Sequence, residues 1–261
     1  MGGSIHFDGT EITAKSQKEM QKIRGKEMAM ILQDPMASLD PLFSIYDQVG
    51  EPAYHHRRLR RNSLKTRVEE LLGMVRIPSP SIRMKEFPHQ MSGGMRQRIV
   101  GAMALAGGPK LIVADEPTTN LDVTIQLQYL ELLKEIQDQT GVALIFVTHN
   151  LGIVAKMCNQ IAVMYAGKIV EQGTTRDIFN QPQHPYTDAL LKSIPVLGNK
   201  DPLYVIPGQP PNLAEPPDGC LFHPRCPKAD QRCRVEHPPE VVLQNAQSSV
   251  CWMTHKEQQL V

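Results

Sequence analysis

The sequence has no long hydrophobic run. Its most apolar stretches, VALIFV from Val142 and IVGAMALAGG from Ile99, fall well short of the ~20 residues that a helical bilayer span requires. The opening MGGSIHFDGT has neither a basic n-region nor an apolar h-region, so no export signal is read there and the cytosol is expected. An excess of one charge is also lacking. With 28 Lys and Arg against 27 Asp and Glu, the formal net charge is +1, which gives no electrostatic reason to expect nucleic acid or an anionic membrane as the main partner. HHRRLRR, from His55 to Arg61, is a local basic cluster that reads as a solvated helix face or loop. Also absent is GxxxxGK followed by Ser or Thr, the loop whose amides and Lys grip nucleotide β- and γ-phosphates. Gly2-Gly3 precedes Ser-Ile-His, and Gly107-Gly108 precedes Pro-Lys.

What is present describes an ordinary globular protein: 261 residues, 41% hydrophobic and 21% charged, enough for one large domain and an appendage. Apolar runs rich in strand formers occur at 27–33, 110–115, 142–149 and 160–173, the last broken by Ala-Gly at 166–167 as in a hairpin. Between the second and third runs, Leu127, Leu130, Leu133 and Ile136 recur at helical spacing. Strand, helix, strand over this length is a βαβ unit, and the class is α/β with a parallel sheet flanked by helices. Residues 50–90 are Arg-rich and Pro-interrupted and carry the amphipathic segment SLKTRVEELLGMV, as expected of a helical insertion, with its subdomain placed at about 35–105. From about Pro182 prolines accumulate and four of the five cysteines appear. The expected division is therefore 1–181 and a small C-terminal module, 182–261.

Several polar residues fall where a parallel sheet delivers chemistry, at the carboxyl ends of its strands. LIVADEPT places Asp115 and Glu116 there, one able to hold Mg²⁺ and the other to polarise an attacking water. VTHN brings His149 to the same edge, within reach of a γ-phosphate, and ILQDP brings Gln33, an amide able to ligate Mg²⁺ or the lytic water. Ser92-Gly93-Gly94 opens a helix in the manner of a phosphate bed, with glycine-exposed N–H groups and a helix dipole behind them.

In this order the segments resemble the ATP-binding-cassette (ABC) ATPases over essentially the whole chain. Gln33 looks like the Q-loop, SGGMRQR like the signature loop, LIVADEPT like Walker B with catalytic Glu116, TNLD like the D-loop ending in Asp122, and VTHN like the H-loop. Asn120 departs from the more common Ala of the D-loop. The resemblance implies an ABC-type nucleotide-binding domain with ATP and Mg²⁺, the metal held by Asp115 and Gln33. It implies ATP sandwiched in a dimer, where Ser92, Gly93, Gly94, Gln97 and Asp122 serve nucleotide held by a second ATPase subunit, identical or not. QDPMASLDP, HPYTDALLKSIP, IPGQPPNL and GCLFHPRCPKADQRC further resemble ATPase subunits of bacterial dipeptide and oligopeptide importers. Such a subunit works peripherally at the cytoplasmic face of the inner membrane with two permease subunits gripped by the helical insertion, and indirectly with an extracytoplasmic peptide-binding protein; no nucleic acid is expected. The alternatives are a soluble non-transport ABC ATPase, which should lack the C-terminal region, and a non-catalytic or fragmentary partner lending only its signature half-site. GGSIHFDGTEIT resembles the family's strand just after the Walker A helix, so the sequence is expected to begin in mid-domain and to hydrolyse little ATP alone.

Cys220, Cys226, Cys233 and Cys251 favour a metal over disulfides in a cytosolic chain, although the CxxC pairs of common zinc sites are missing. Four thiolates also suit an iron-sulfur cluster, and the resemblance implies a 4Fe-4S cluster here, with zinc or no metal as alternatives. Cys158 reads as a buried hydrophobic thiol.

Overall fold

The computed structural model describes residues 3–195, 198 and 202–258, so Met1 and Gly2, which opens the GGSIHFDGTEIT run, lie outside it. The chain forms two compact units, Met1–His149 and Asn150–Val261.

In the first unit a small antiparallel pair, β1 (His6–Phe7) and β2 (Thr10–Glu11), precedes α1 (Gln17–Ile23). A three-stranded parallel sheet follows, built from β3 (Met28–Ile31), β4 (Leu111–Asp115) and β5 (Ala143–Val147), with β4 in the middle. Between β3 and β4 the chain is helical, as its period requires: α2 (Pro35–Ser38), α3 (Ile45–His56), α4 (Arg61–Met74), α5 (Pro80–Arg83) and α6 (Gly93–Ala106). Ile45, Val49 and Ala53 of α3, Val68, Leu71 and Leu72 of α4, and Ile99 and Ala102 of α6 have no exposure and make a local helical core. HHRRLRR lies across the end of α3 and the start of α4, mostly exposed, as expected.

Helix α7 (Val123–Thr140) joins β4 to β5 and completes the βαβ unit. Asp122 caps its first turn, and Gly141 ends it at φ 71°, a left-handed backbone that glycine adopts without steric cost. Leu130, Leu133 and Ile136 are buried, joined by Tyr129 and Leu132, but Leu127 is 45% exposed and does not belong to the buried stripe. The register gives the sheet two unlike faces. Ile31, Ile112 and Ala114 point to one face and are buried; Met30, Val113 and Ile145 are paired on the other, where Met30 and Ile145 are about half exposed, as is Val147. Parallel sheets are ordinarily covered on both faces, whereas among the described residues Met30, Ile145 and Val147 of this second face stay about half exposed.

The second unit begins with α8 (Leu151–Met157) and the antiparallel pair β6 (Gln160–Tyr165) and β7 (Lys168–Thr174). Ala166 and Gly167 both have positive φ, 48° and 77°, the backbone that a two-residue hairpin turn demands. Next come α9 (Thr175–Asn180), α10 (Pro185–Lys192), α11 (Gln231–Val235), β8 (Val241–Val242), β9 (Ser248–Ser249) and α12 (Trp252–Gln258). The hairpin expected within 1–181 pairs through β7 with β9, in sheet order β6-β7-β9-β8. HPYT is an N-capped helix start: the His184 imidazole Nδ1 accepts from the Tyr186 N–H at 3.0 Å, and Pro185 takes the first helical position. Tyr165, Tyr186 and Phe222 pack ring to ring at 4.7–5.3 Å in the core of this unit. Beside it Glu171 is 1% exposed. Its carboxylate is satisfied by the N–H groups of Gln183 at 2.7 Å and His184 at 2.9 Å and by Gln247 Nε2 at 2.8 Å, which is what makes a buried charge tolerable.

Candidate functional site

Three chain segments bring one polar cluster together in the first unit. β4 ends at Asp115, and Glu116 then takes φ 43°, a left-handed conformation uncommon for a residue with a side chain. Its N–H donates to the Val147 carbonyl at 2.8 Å, which ties this turn to the end of β5. That bond places Glu116 beside His149, and His149 Nδ1 lies 2.8 Å from Glu116 Oε1. From the β3 end, Gln33 Nε2 donates to Glu116 Oε2 at 3.1 Å, held by a backbone that turns at once into α2, where Asp34 accepts from the Met36 N–H. Thr119 donates its hydroxyl to the same Oε2 at 2.9 Å. Sequence reasoning missed Thr119, whose only signal is its position three residues beyond Glu116. The bond from His149, then that from Thr119, holds the Glu116 carboxyl below its ordinary value, so it is an anion at neutral pH. His149 remains open to solvent, its side chain 74% exposed, while that of Glu116 is 25% exposed.

The Ser-Gly-Gly turn is separate. Ser92 caps α6 by accepting from the Met95 N–H at 3.3 Å, and Ser92 and Gly93 are exposed. Gly94 permits a close approach: a Cβ there would stand 3.0 Å from Ile125 Cγ2 on α7. Two predicted ligand residues are otherwise engaged. The Asp122 carboxylate accepts the N–H groups of Thr124 and Ile125 at 3.1 and 3.0 Å, and Gln97 is 2% exposed, inside the fold with Tyr129 rather than at the surface. Asp115 stands at the last position of β4, paired with Val147 on the open face of the sheet.

In the second unit Cys220, Cys226, Cys233 and Cys251 line one small cavity with Phe222, shielded further by Trp252. Cys220 N–H donates to the Cys233 carbonyl at 2.9 Å, which brings two of them to adjacent strands of chain. Burial raises the thiols of Cys220 and Cys251 above the ordinary range and pushes Cys226 to about 11, so all three are protonated as they stand. Among the described residues no group of three or more His, Cys, Asp or Glu is arranged to hold a metal ion. Cys158 is half buried and its thiol is likewise raised by burial.

The chain is 48% identical to the dipeptide transport ATP-binding protein DppD of Bacillus subtilis (strain 168), over 96% of its own length and 75% of that protein. The chain belongs to the ATP-binding subunits of ABC transporters. Residues 1–119 match the ABC transporter family and residues 170–233 the oligopeptide/dipeptide transporter C-terminal region. Escherichia coli (strain K12) DppD, another dipeptide transport ATP-binding protein, is 44% identical over 96% of this chain and 77% of its own. Among solved structures, a dimeric ATP-binding cassette in a post-hydrolysis state bound to ADP and Pi superposes with a TM-score of 0.59 at 26% identity, covering 67% of this chain and 74% of that one. Membership carries ATP hydrolysis with Mg²⁺ as the family's activity. Among the described residues, no helix of this ABC subunit is long and apolar enough to cross a membrane.

Proposed function

We propose that this chain is an ATP-hydrolysing subunit that energises peptide uptake through an ABC importer, acting with a second ATPase subunit and two membrane permeases. The observation that carries the reading is the meeting of Gln33, Glu116 and His149 at the ends of three parallel strands, on a chain whose residues 170–233 match the peptide-transporter region. Peripheral placement on the cytoplasmic face of the membrane follows from the same reading, as does supply of peptide by an extracytoplasmic binding protein.

The donor set suits the chemistry. Asp115 and the Gln33 amide oxygen are hard oxygen ligands of the kind Mg²⁺ takes, and Gln33 Nε2 already points at Glu116, which leaves the oxygen for a cation. When bound, Mg²⁺ neutralises charge on the β- and γ-phosphates. Glu116 orients the attacking water and accepts its proton as the water oxygen bonds to phosphorus and the bridge to the β-phosphate breaks. His149 keeps Nδ1 on Glu116, which leaves Nε2 for the γ-phosphate. Ser92, Gly93 and Gly94 serve nucleotide on the opposing subunit, with Asp122 fixing the start of α7 and Gln97 acting from inside the fold. Since GxxxxGK is not among these 261 residues, we expect the chain purified alone to turn over ATP poorly.

The test is an importer assembled with this subunit and assayed for ATP-driven peptide uptake. Gly93→Asp puts a carboxylate where the phosphate would sit, and it should abolish uptake and turnover of nucleotide on the opposing subunit while assembly persists. Normal turnover in the assembled Gly93→Asp importer would sink the trans assignment.

The cysteine cavity supports a second assignment. We infer that Cys220, Cys226, Cys233 and Cys251 hold an iron-sulfur cluster, or zinc in its place, as a structural element. Metal binding would have to deprotonate thiols that burial now keeps neutral, and it would offset that cost by metal–thiolate bonding. Anaerobically purified protein should show visible absorption that disappears in Cys226→Ser; colourless, metal-free protein of unchanged stability rules the cluster and zinc out together.

A further inference from the structure

Helix α6 opens on the Ser92-Gly93-Gly94 turn assigned above to the opposing subunit's nucleotide, and at successive turns it meets α7, which opens at Asp122. Gly94, Gln97 and Gly101 recur on α6 at the three- and four-residue spacing that lines up one helix face, and Ile125 and Tyr129 do so on α7. A Cβ on Gly94 would stand 3.0 Å from Ile125 Cγ2, and one on Gly101 would stand 3.1 Å from the Tyr129 hydroxyl oxygen. Glycine inside a helix weakens it, so at Gly101 α6 gives up helix stability where the phenol of α7 comes close. At the edge of the seam Arg98 donates to Gln128 Oε1 at 3.3 Å.

Helix α7 is the fixed side of this seam. Asp122 caps its first turn, and Gln126 Nε2 donates to Thr118 Oγ1 at 3.1 Å. Thr118 is buried and directly precedes Thr119, whose hydroxyl bonds Glu116. Against this frame stand two buried polar side chains, Tyr129 and Gln97, 1% and 2% exposed. Among the described residues neither the Tyr129 hydroxyl nor Gln97 Nε2 has a partner at hydrogen-bonding geometry. Burial raises the Tyr129 phenol above its ordinary value, and the Gln97 side chain beside it offsets part of that rise. Orphaned polar groups in a packed seam cost stability that apolar side chains of the same shape would not. Each can supply what the other needs, since a carboxamide both donates and accepts and a phenol does likewise.

We propose that Gln97 and Tyr129 are positioning residues for the trans half-site: a hydrogen bond forms between them as the Ser92-Gly93-Gly94 turn takes phosphate, and it fixes α6 against α7 in that state. Neither touches nucleotide. The inference rests on the trans assignment proposed above. In the assembled importer Tyr129→Phe keeps the ring and removes the hydroxyl, and Gln97→Met keeps the reach of the side chain and removes the amide. Each should lower kcat and kcat/KM together by about five-fold, the worth of one hydrogen bond made only in the working state, and the double variant should lose no more than either single one. The urea midpoint of the chain should stay level or rise in all three, because unpartnered buried polar atoms are being removed. Wild-type turnover in Tyr129→Phe or Gln97→Met, additive losses in the double variant, or midpoints that fall along with turnover each overturn the proposal. Gly93→Asp separates the two readings. Lost turnover there beside wild-type turnover in Tyr129→Phe overturns this role alone, whereas normal turnover in Gly93→Asp removes the trans assignment and this role with it.

Discussion

Glu116→Gln is expected to cut ATP turnover by the assembled importer by roughly 10²–10⁴-fold, the range that a positioned general base contributes, while leaving nucleotide binding largely intact. The amide has the shape of the carboxylate, so the contacts with Thr119 and His149 can be kept, and what is lost is the capacity to take a proton from water. A structural role would have a different signature, since losing a hydrogen-bonded anion would loosen the turn and weaken binding along with turnover. Measuring nucleotide affinity and single-turnover hydrolysis separately distinguishes them. If Glu116→Gln hydrolyses at the wild-type rate, Glu116 is not the base. The carboxyl also has a pH signature. His149 and Thr119 hold it below its ordinary value, so the stability it contributes is fully present above the unfolded value and is lost as pH falls through the lower folded one.

Gly107→Ala should be the most damaging single substitution for folding of the first unit. Gly107 closes α6 at φ −72° and ψ −18°, an ordinary right-handed backbone, so alanine would fit locally. The objection is steric. A Cβ there would lie 1.7 Å from the Gly25 carbonyl oxygen and 2.8 Å from its carbon. Those are main-chain atoms of a turn that cannot easily yield, because Gly25 N–H is bonded to Met28 O at 2.7 Å and the Lys110 N–H to Glu27 O at 2.9 Å, at the points where β3 and β4 begin. Relief means moving the start of the sheet away from α6, at a cost of about 3 kcal/mol or more. Gly73→Ala is the contrast, since nothing lies within 4 Å of the added carbon in α4, and a gain of roughly 0.5–1 kcal/mol is expected. Urea denaturation of both variants checks the pair. Equal midpoints would mean that the Gly25–Gly107 approach is looser than described.

Much of this architecture was legible because it depends on local rules. Alternation of strand and helical periods sets a parallel sheet flanked by helices, and Ala166-Gly167 marks the hairpin of the second, antiparallel sheet where turn chemistry requires it. Residues at strand ends share one edge by topology alone, which is why the sequence groups Gln33, Glu116 and His149. Leu127 escaped the pattern because period tells which positions share a helix stripe and not how far a neighbour extends over it.

The sequence by itself determined the α/β class, the order of the family's motifs and the absence of GxxxxGK, since these are properties of residue type and spacing along the chain. Tertiary structure alone decided that Thr119 joins Glu116, that Gln97 is buried, that Phe222 and Trp252 line the cavity of the four cysteines, and that Tyr129 of α7 lies against Gly101 of α6. The physical reason is range: periodicity and capping act over a few residues, whereas burial and charge proximity are set by which segments fold against one another.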